Sequence, residues 1–310
     1  MRKTCVLLSL LLSICASSAF AWGQDGHRIV CRIAFDLLSH DDQEKVDALA
    51  RGYKLPPGAD LQIHSFADAC VFPDEARSKA VKAEKNGDKT SPWLRFGKFN
   101  NQHFLNVSRD TTKITEKACG GNCVLTGIAS QAAQLKSGAT EQERAEGLIF
   151  LGHFVGDAHQ PLHISFEDDQ GGNLVEPVTG GFYPIPPKRP GDTKEPELNL
   201  HSVWDSGIIR KAIGQPGWEA FADRLRKKIT AKQRKAWAAA KPLQWAQESY
   251  DITTSKDVLY CKESHHVCKS FGPGRVLHES YQEEFIGPVD KRLEEAGVRL
   301  AAMIHEALRP

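Results

Sequence analysis

The sequence has no excess of charge of either sign: its 310 residues carry 40 lysines and arginines against 39 aspartates and glutamates. That balance excludes a broad basic field that would draw a polyanion to the whole surface. Beyond the first two dozen residues no apolar run approaches the roughly 20 residues that a membrane-spanning helix needs. There is no internal repeat and no low-complexity tract, so solenoids and arrays are excluded. Strand signals are few, and no CxxC pair occurs among the cysteines, which weakens a cysteine-ligated metal site.

What is present begins at the first residues. Arg2 and Lys3 precede the apolar run Val6 to Ile14, and Ala19, Phe20 and Ala21 form a small-x-small triplet. This is the pattern of a secretory signal peptide, with cleavage expected after Ala21. Residues 22–310 are then left as an exported chain, periplasmic or secreted, with 38 basic against 39 acidic residues. That length suits one large domain. Positive charge for a polyanionic substrate would have to be local, and bound metal is one source.

Six cysteines remain after Ala21: Cys31, Cys70, Cys119, Cys123, Cys261 and Cys268. An even number in an exported chain points to disulfides, and six cysteines allow 15 pairings. Cys119 with Cys123 and Cys261 with Cys268 have the spacing of local loop staples, and Cys31 with Cys70 follows by elimination.

Helical periodicity dominates the rest. Ile29, Ile33 and Leu37 recur at helical spacing after Gly26. Thr140 and Glu143 read as a capping box that opens a helix running to Pro161. Asn199 can cap a helix through Val203 and Ile208, and a long final helix is expected from about Pro288. Residues 171–186, with two glycine pairs and alternating runs, suggest a small β-hairpin. Residues 184–196 are proline-rich and charged, the mark of an exposed loop. The fold class expected is mainly α, one helical domain with helices crossing around a central site.

Histidine placement carries the chemistry. His153 with Asp157, and His201 with Asp205, stand four residues apart on two helices. Each pair presents a nitrogen and an oxygen ligand on one face. His163 follows Pro161, where a turn can bring it back to the same place. Ordinary helix salt bridges produce such pairs too, so the remaining residues decide. The chain after Ala21 starts Trp22, Gly23, Gln24, Asp25, Gly26, His27. A free α-amino group has a pKa near ~7.7–8.0, so it can lose its proton to a metal at neutral pH. The amine and carbonyl of Trp22 can chelate one ion, with His27 as a further ligand. Asp74 with Arg77, and His103 with Phe104, add further ligand types.

In order along the chain these motifs are WGxxGH at Trp22 to His27, PDEAR at Pro73 to Arg77, HFLN at His103 to Asn106 and HFVGDxHQPLH at His153 to His163. GGN at Gly171 to Asn173, NLHSVWD at Asn199 to Asp205 and AGVRLA at Ala296 to Ala301 follow. The set resembles the zinc-dependent type I nucleases, the single-strand-specific nuclease and 3′-nucleotidase family, which is related in fold to zinc-dependent phospholipase C.

The resemblance implies a mainly helical fold holding three Zn²⁺ ions. Asp74, His103 and His153 would hold the first, and His163, His201 and Asp205 the second. Trp22 and His27 would hold the third, with Asp157 bridging. It implies an endonuclease acting on RNA and single-stranded DNA to give 5′-phosphorylated products, with 3′-nucleotidase activity. Arg77 would stabilise charge on the phosphoryl group. Phe104 would stack a base, and Asn106, Asn173 and Asn199 would join it in binding substrate. Asn106 stands where the fungal pattern tends to carry Asp, which puts base preference in doubt. No stable protein partner and no membrane anchor are implied.

Two other readings remain. A zinc-dependent phospholipase C is expected to have a longer gap from the terminal Trp to its first His and a Glu in the last HxxxE, whereas here the gap is five residues and the acid is Asp205. A non-catalytic zinc-binding protein needs neither Arg77 nor Phe104.

Overall fold

The computed structural model describes residues 22–175, 199–261, 268, 277 and 280–309. In chain order its helices are α1 (Gln24–Leu37), α2 (His40–Gly52), α3 (Phe66–Ala69), α4 (Phe72–Lys85), α5 (Val124–Ser137) and α6 (Glu141–His159). They continue with α7 (Leu200–Ser202), α8 (Ile208–Ile213), α9 (Gly217–Lys228), α10 (Ala231–Ala238), α11 (Pro242–Thr253) and α12 (Tyr281–Leu308). Two short strands, β1 (Leu105–Val107) and β2 (Ile164–Phe166), lie among the described residues, with short 3-10 segments and one π-helical turn between the helices. The fold is mainly α, as the periodicity indicated.

Helix α6 is the axis of the molecule. It opens on the expected capping box, with the Thr140 hydroxyl accepting from the Glu143 amide at 3.2 Å and the Glu143 carboxylate accepting from the Thr140 amide at 3.2 Å. Every residue from Ala145 to His159 is buried. The sequence explains this: from Gly147 onward it is apolar on all faces, and a helix apolar all round belongs in a core. Helices α1, α2, α5, α11 and α12 surround it. At Gly152 a Cβ would lie 2.6 Å from Cys70 Sγ and 2.8 Å from Cys31 Sγ, so this glycine lets the Cys31–Cys70 disulfide press against the helix.

The last carbonyls of a helix have no partner within it. Here they are taken up from outside: Ser249 Oγ donates to Ala158 O at 2.7 Å, and Arg292 Nε donates to His159 O at 3.2 Å. His159 is buried but belongs to a separate polar group, facing Arg299 through its Nε2 at 2.8 Å. Burial, and then Arg292 and Arg299, push its pKa well down, so it stays neutral.

The strands pair in parallel, with Leu105 opposite Ile164, Asn106 opposite Ser165 and Val107 opposite Phe166. This register has one large effect on the site. The residues just before the strands end up side by side, and His163 Nδ1 lies 2.6 Å from the His103 carbonyl. All three cysteine pairs expected from spacing are present: Cys31–Cys70, Cys119–Cys123 and Cys261–Cys268.

Two expectations change. Residues 171–175 form turns rather than the start of a hairpin, because Gly171 and Gly172 both have positive φ. The rest of that segment, the proline-rich stretch and residues 1–21 lie outside the described residues. The final helix begins at Tyr281, not at Pro288, which lies inside it. Tertiary contacts hold the additional turns: Trp204 Nε1 donates to Tyr281 Oη at 3.0 Å, and Tyr281 Oη donates to Val258 O at 2.9 Å.

Candidate metal centre

Six parts of the chain converge on Asp157. Helix α1 brings His27 in its first turn, and the first turn of α4 brings Asp74. His103 ends a 3-10 segment, Leu94–His103. Helix α6 brings His153 and Asp157, and His163 follows at its end. Helix α7 and the π-helical turn Val203–Gly207 bring His201 and Asp205. A π turn widens the local helix and often marks a functional site.

The distances fall into groups. Ligands held ~2.1 Å from one tetrahedral ion stand about 3.4 Å apart. His153 Nε2 lies 3.5 Å from Asp74 Oδ1 and 3.0 Å from His103 Nδ1, which is itself 3.7 Å from Asp74 Oδ1. On the other side, His163 Nε2 is 3.7 Å from Asp205 Oδ1, and His201 Nε2 is 3.3 Å from Asp205 Oδ2. Asp157 stands between. Its Oδ2 faces His103 Nδ1 at 3.2 Å and His153 Nε2 at 3.4 Å, and its Oδ1 faces His27 Nε2 at 3.5 Å.

The histidines are oriented by main-chain oxygens. His153 Nδ1 lies 2.8 Å from Cys70 O, His163 Nδ1 2.6 Å from His103 O and His201 Nδ1 2.6 Å from Gly171 O. A carbonyl only accepts, so each Nδ1 carries the proton and each Nε2 turns a bare lone pair to the centre. This is how metal-ligating histidines are usually held.

Most of the atoms that face the centre have no protein partner. His27 Nδ1 and Nε2, the Nε2 atoms of His103, His163 and His201, Asp74 Oδ1 and both Asp157 oxygens are buried with no hydrogen-bond partner. Leaving so many polar atoms dry and unpaired is strongly destabilising. Burial, then the neighbouring histidines, hold His27 and His103 well below the ordinary histidine range. Burial lowers His163 to about 4 and also lowers His201. It pushes Asp157 up, helped by the Asp74 carboxylate, and pushes Asp205 to about 7. Imidazole nitrogens and carboxylate oxygens without a proton or counter-charge are the donor set of divalent transition metals, so the residues fit such ions.

Trp22 is fully buried next to this group. The Gly23 amide donates to the Asp205 carbonyl at 2.7 Å, which pins the chain beside the Asp205 arm. At Gly156 a Cβ would lie 2.9 Å from His27 Nδ1, so only a bare backbone lets the His27 ring lie on α6, with the Trp22 ring in ordinary contact at 3.7 Å.

A cleft of about 540 Å³ opens on the centre, lined by Asp74, Arg77, Phe104, Asn106, His163, Asn173 and His201 among others. The Arg77 guanidinium lies 5.7 Å from the Phe104 ring centroid. Burial pulls its pKa down, opposed by Asp74, Asp157 and Asp205. Asn106 Oδ1 is buried without a partner. Asn199 does not line the cleft. It caps α7, accepting from the Ser202 amide at 2.8 Å, and its Nδ2 reaches Asn173 Oδ1 at 3.5 Å. Asp68, the nearby acid that can be confused with Asp74, pairs with Arg28 at 3.4 Å away from the histidines.

Sequence reasoning missed Gln160. It is fully buried, and its side-chain amide donates to Asp205 Oδ1 while its carbonyl oxygen accepts from the Leu162 amide. A buried amide just before Pro161 was the available signal. The orienting carbonyls of Cys70, His103 and Gly171 had none, because a main-chain oxygen is the same in every residue.

The S1/P1 Nuclease family profile matches residues 22–309. The chain belongs to the S1/P1 nuclease family. It is therefore a nuclease, a hydrolase acting on nucleic acid. Endonuclease 4 of Arabidopsis thaliana is 28% identical over 309 residues, covering 96% of this chain and 92% of that protein. Endonuclease 2 of the same plant is 28% identical over 323 residues, covering 97% and 95%. Nuclease P1 of Penicillium citrinum is 28% identical over 209 residues, covering 62% and 69%. No helix of this S1/P1 nuclease, among the described residues, is long and apolar enough to cross a membrane.

Proposed function

We propose that this nuclease is an exported, zinc-dependent endonuclease of RNA and single-stranded DNA, with 3′-nucleotidase activity, that leaves 5′-phosphates. The observation that carries it is the set of buried, unpaired ligand atoms around Asp157, opening on a cleft with one arginine and one aromatic ring. Asp74, His103 and His153 would hold one Zn²⁺, and His163, His201 and Asp205 a second. His27 and the terminal amine and carbonyl of Trp22 would hold a third, and Asp157 would be shared between ions. The family match starting at residue 22 supports a signal peptide over residues 1–21 and a nuclease domain over residues 22–310. Export to the periplasm or medium fits the three disulfides.

When bound, the ions supply an activated water at neutral pH and neutralise charge on the phosphodiester. The chain's own residues do the rest. Arg77 faces the phosphoryl oxygens and stabilises charge that grows on them in the transition state. Its contact with Phe104 fixes the ring face, on which any unpaired base can stack. Asn106 offers both a donor and an acceptor to a base edge, and Asn173 closes the same side. Asn199 acts on substrate through Asn173. Duplex bases are already stacked on one another, so a single stacking face favours single strands.

The test is metal content together with cleavage, for protein beginning at Trp22. The expected result is about three zinc equivalents, cleavage of RNA and single-stranded DNA, 5′-phosphate ends, and loss of all activity on chelation with recovery on zinc addition. Full activity at well below three equivalents would overturn the trinuclear centre. Cleavage of lecithin but not of nucleic acid would overturn the substrate class.

A further inference from the structure

Three consecutive residues, Gln170, Gly171 and Gly172, lie in the left-handed region, with φ of 55°, 68° and 83°. The two glycines adopt this conformation freely, whereas Gln170 does so at a cost and needs its surroundings to hold it. Its effect is visible at one atom. The Gly171 carbonyl accepts the Nδ1 proton of His201, and that bond sets which nitrogen of His201 faces the centre. A Cβ at Gly171 would lie 2.7 Å from Leu162 O and 3.4 Å from His201 Nδ1, so the turn is packed directly on the ligand.

Asp169 is what holds the turn. Its Oδ1 accepts from the Gly172 amide at 2.9 Å and from the Tyr260 hydroxyl. Its Oδ2 accepts from Arg109 Nη2 at 2.5 Å, and its carbonyl accepts from the Leu174 amide at 3.0 Å. The two partners are fixed in turn. Ser165 Oγ, on β2, donates to Tyr260 Oη at 3.2 Å. Burial, and then the Asp169 carboxylate, push the Tyr260 phenol well up, so it remains a donor. Arg109 lies 4.6 Å from the Phe166 ring centroid, also donates to Asp168 at 2.6 Å, and its carbonyl accepts from the Cys268 amide at 3.1 Å. None of these residues touches the cleft or the centre.

We propose that Asp169, with its carboxylate fixed by Tyr260 and Arg109, is a positioning residue for His201. It acts through the Gly171 carbonyl and sets the metal affinity of the His163, His201 and Asp205 arm alone. The inference rests on the metal-centre reading and adds to it a dependence on one buried carboxylate outside the ligand set.

The test uses the full mature chain loaded with Co²⁺, whose visible absorption reports each site, and chelator competition. Asp169→Ala is expected to weaken one class of cobalt site by 10–100-fold, the range for a lost outer-shell partner, and to leave the others at wild-type affinity. Tyr260→Phe keeps the ring and removes one donor, so it shifts the same class by a smaller factor even if Asp169→Ala folds poorly. His201→Ala defines that class, and in its background Asp169→Ala is expected to add no further loss. Unchanged cobalt affinities in Tyr260→Phe and Asp169→Ala would overturn the proposal. So would equal weakening of all classes, or full additivity with His201→Ala. A wild-type chain that binds no cobalt would overturn the metal-centre reading, whereas normal wild-type binding with unaffected variants overturns this inference alone.

Discussion

Gly156 shows how little room the centre leaves at the scale of single residues. It lies between Val155 and Asp157 on α6, and His27 stacks on His153 with ring centroids 3.8 Å apart. Because a Cβ here would meet His27 Nδ1 at 2.9 Å, Gly156→Ala must push the His27 ring away. Helix propensity alone would make this substitution favourable by up to about 1 kcal/mol. The expected outcome is therefore a protein at least as helical by circular dichroism that holds one fewer zinc equivalent and loses roughly 10–100-fold in activity. Wild-type metal content in Gly156→Ala would show that His27 is not a ligand.

Of the proposed ligands, His153 with Asp157 and His201 with Asp205 were legible from their helical spacing, and the others from the motifs that the family resemblance rests on. Their orientation was not, since it depends on carbonyls of residues as unlike as Cys70, His103 and Gly171. Asn199 illustrates the limit. Its place in the motif suggested contact with substrate, and the structure gives it a capping bond and a neighbour, Asn173, that reaches the cleft instead.

Among elements, α6 was the most legible and the two strands the least. The capping box and Pro161 bracket α6 in the sequence, and both act locally. A three-residue strand has no periodicity to detect, and the β1–β2 pairing joins segments almost 60 residues apart. The start of α12 was hidden for a related reason. Pro288 removes one amide donor and usually ends a helix, but the turns before it are held through Tyr281 by Trp204 and Val258, which are distant in sequence.

The Cys31–Cys70 disulfide joins α1 to the residue that ends α3, and the Cys70 carbonyl orients His153. Replacing both cysteines with serine opens a 39-residue loop, which the chain-entropy relation puts at about 3–4 kcal/mol. Denaturant titration is expected to show that loss, together with weaker zinc binding. A loss of stability with zinc affinity untouched would separate the disulfide from the orientation of His153.

At the scale of the whole molecule, the near-neutral charge balance leaves attraction of a polyanion to the ions and Arg77. The centre also contributes to the response to acid. In metal-free protein, four histidines of the centre stay neutral to lower pH than they do unfolded, His163 down to about 4. Between about pH 6.5 and that value the unfolded chain takes up more protons, so acid favours unfolding. Asp157 and Asp205 act oppositely. Their protons are held to higher pH than in the unfolded chain, Asp205 to about 7, so their contribution is lost as pH rises through that value. His159 joins the histidines, and Asp290 and Glu294, the latter raised to about 7, join the carboxylates, so with five groups against four the melting temperature of chelator-treated protein is expected to fall from pH 6.5 to pH 5. Calorimetry that found it rising would mean that the carboxylates dominate.

The bond from the Gly23 amide to the Asp205 carbonyl has a consequence for how the molecule comes into being. It ties the beginning of the described chain to a residue two-thirds of the way along the sequence, and the ligands between them arrive at widely spaced points. Contacts of such long sequence separation form late in folding. A chain emerging from its start therefore builds α1 through α6 around a half-made pocket, and the centre closes only when residue 205 has been delivered. An amino-terminal piece that ends before residue 163 carries five of the proposed ligating side chains and lacks the whole of the other arm.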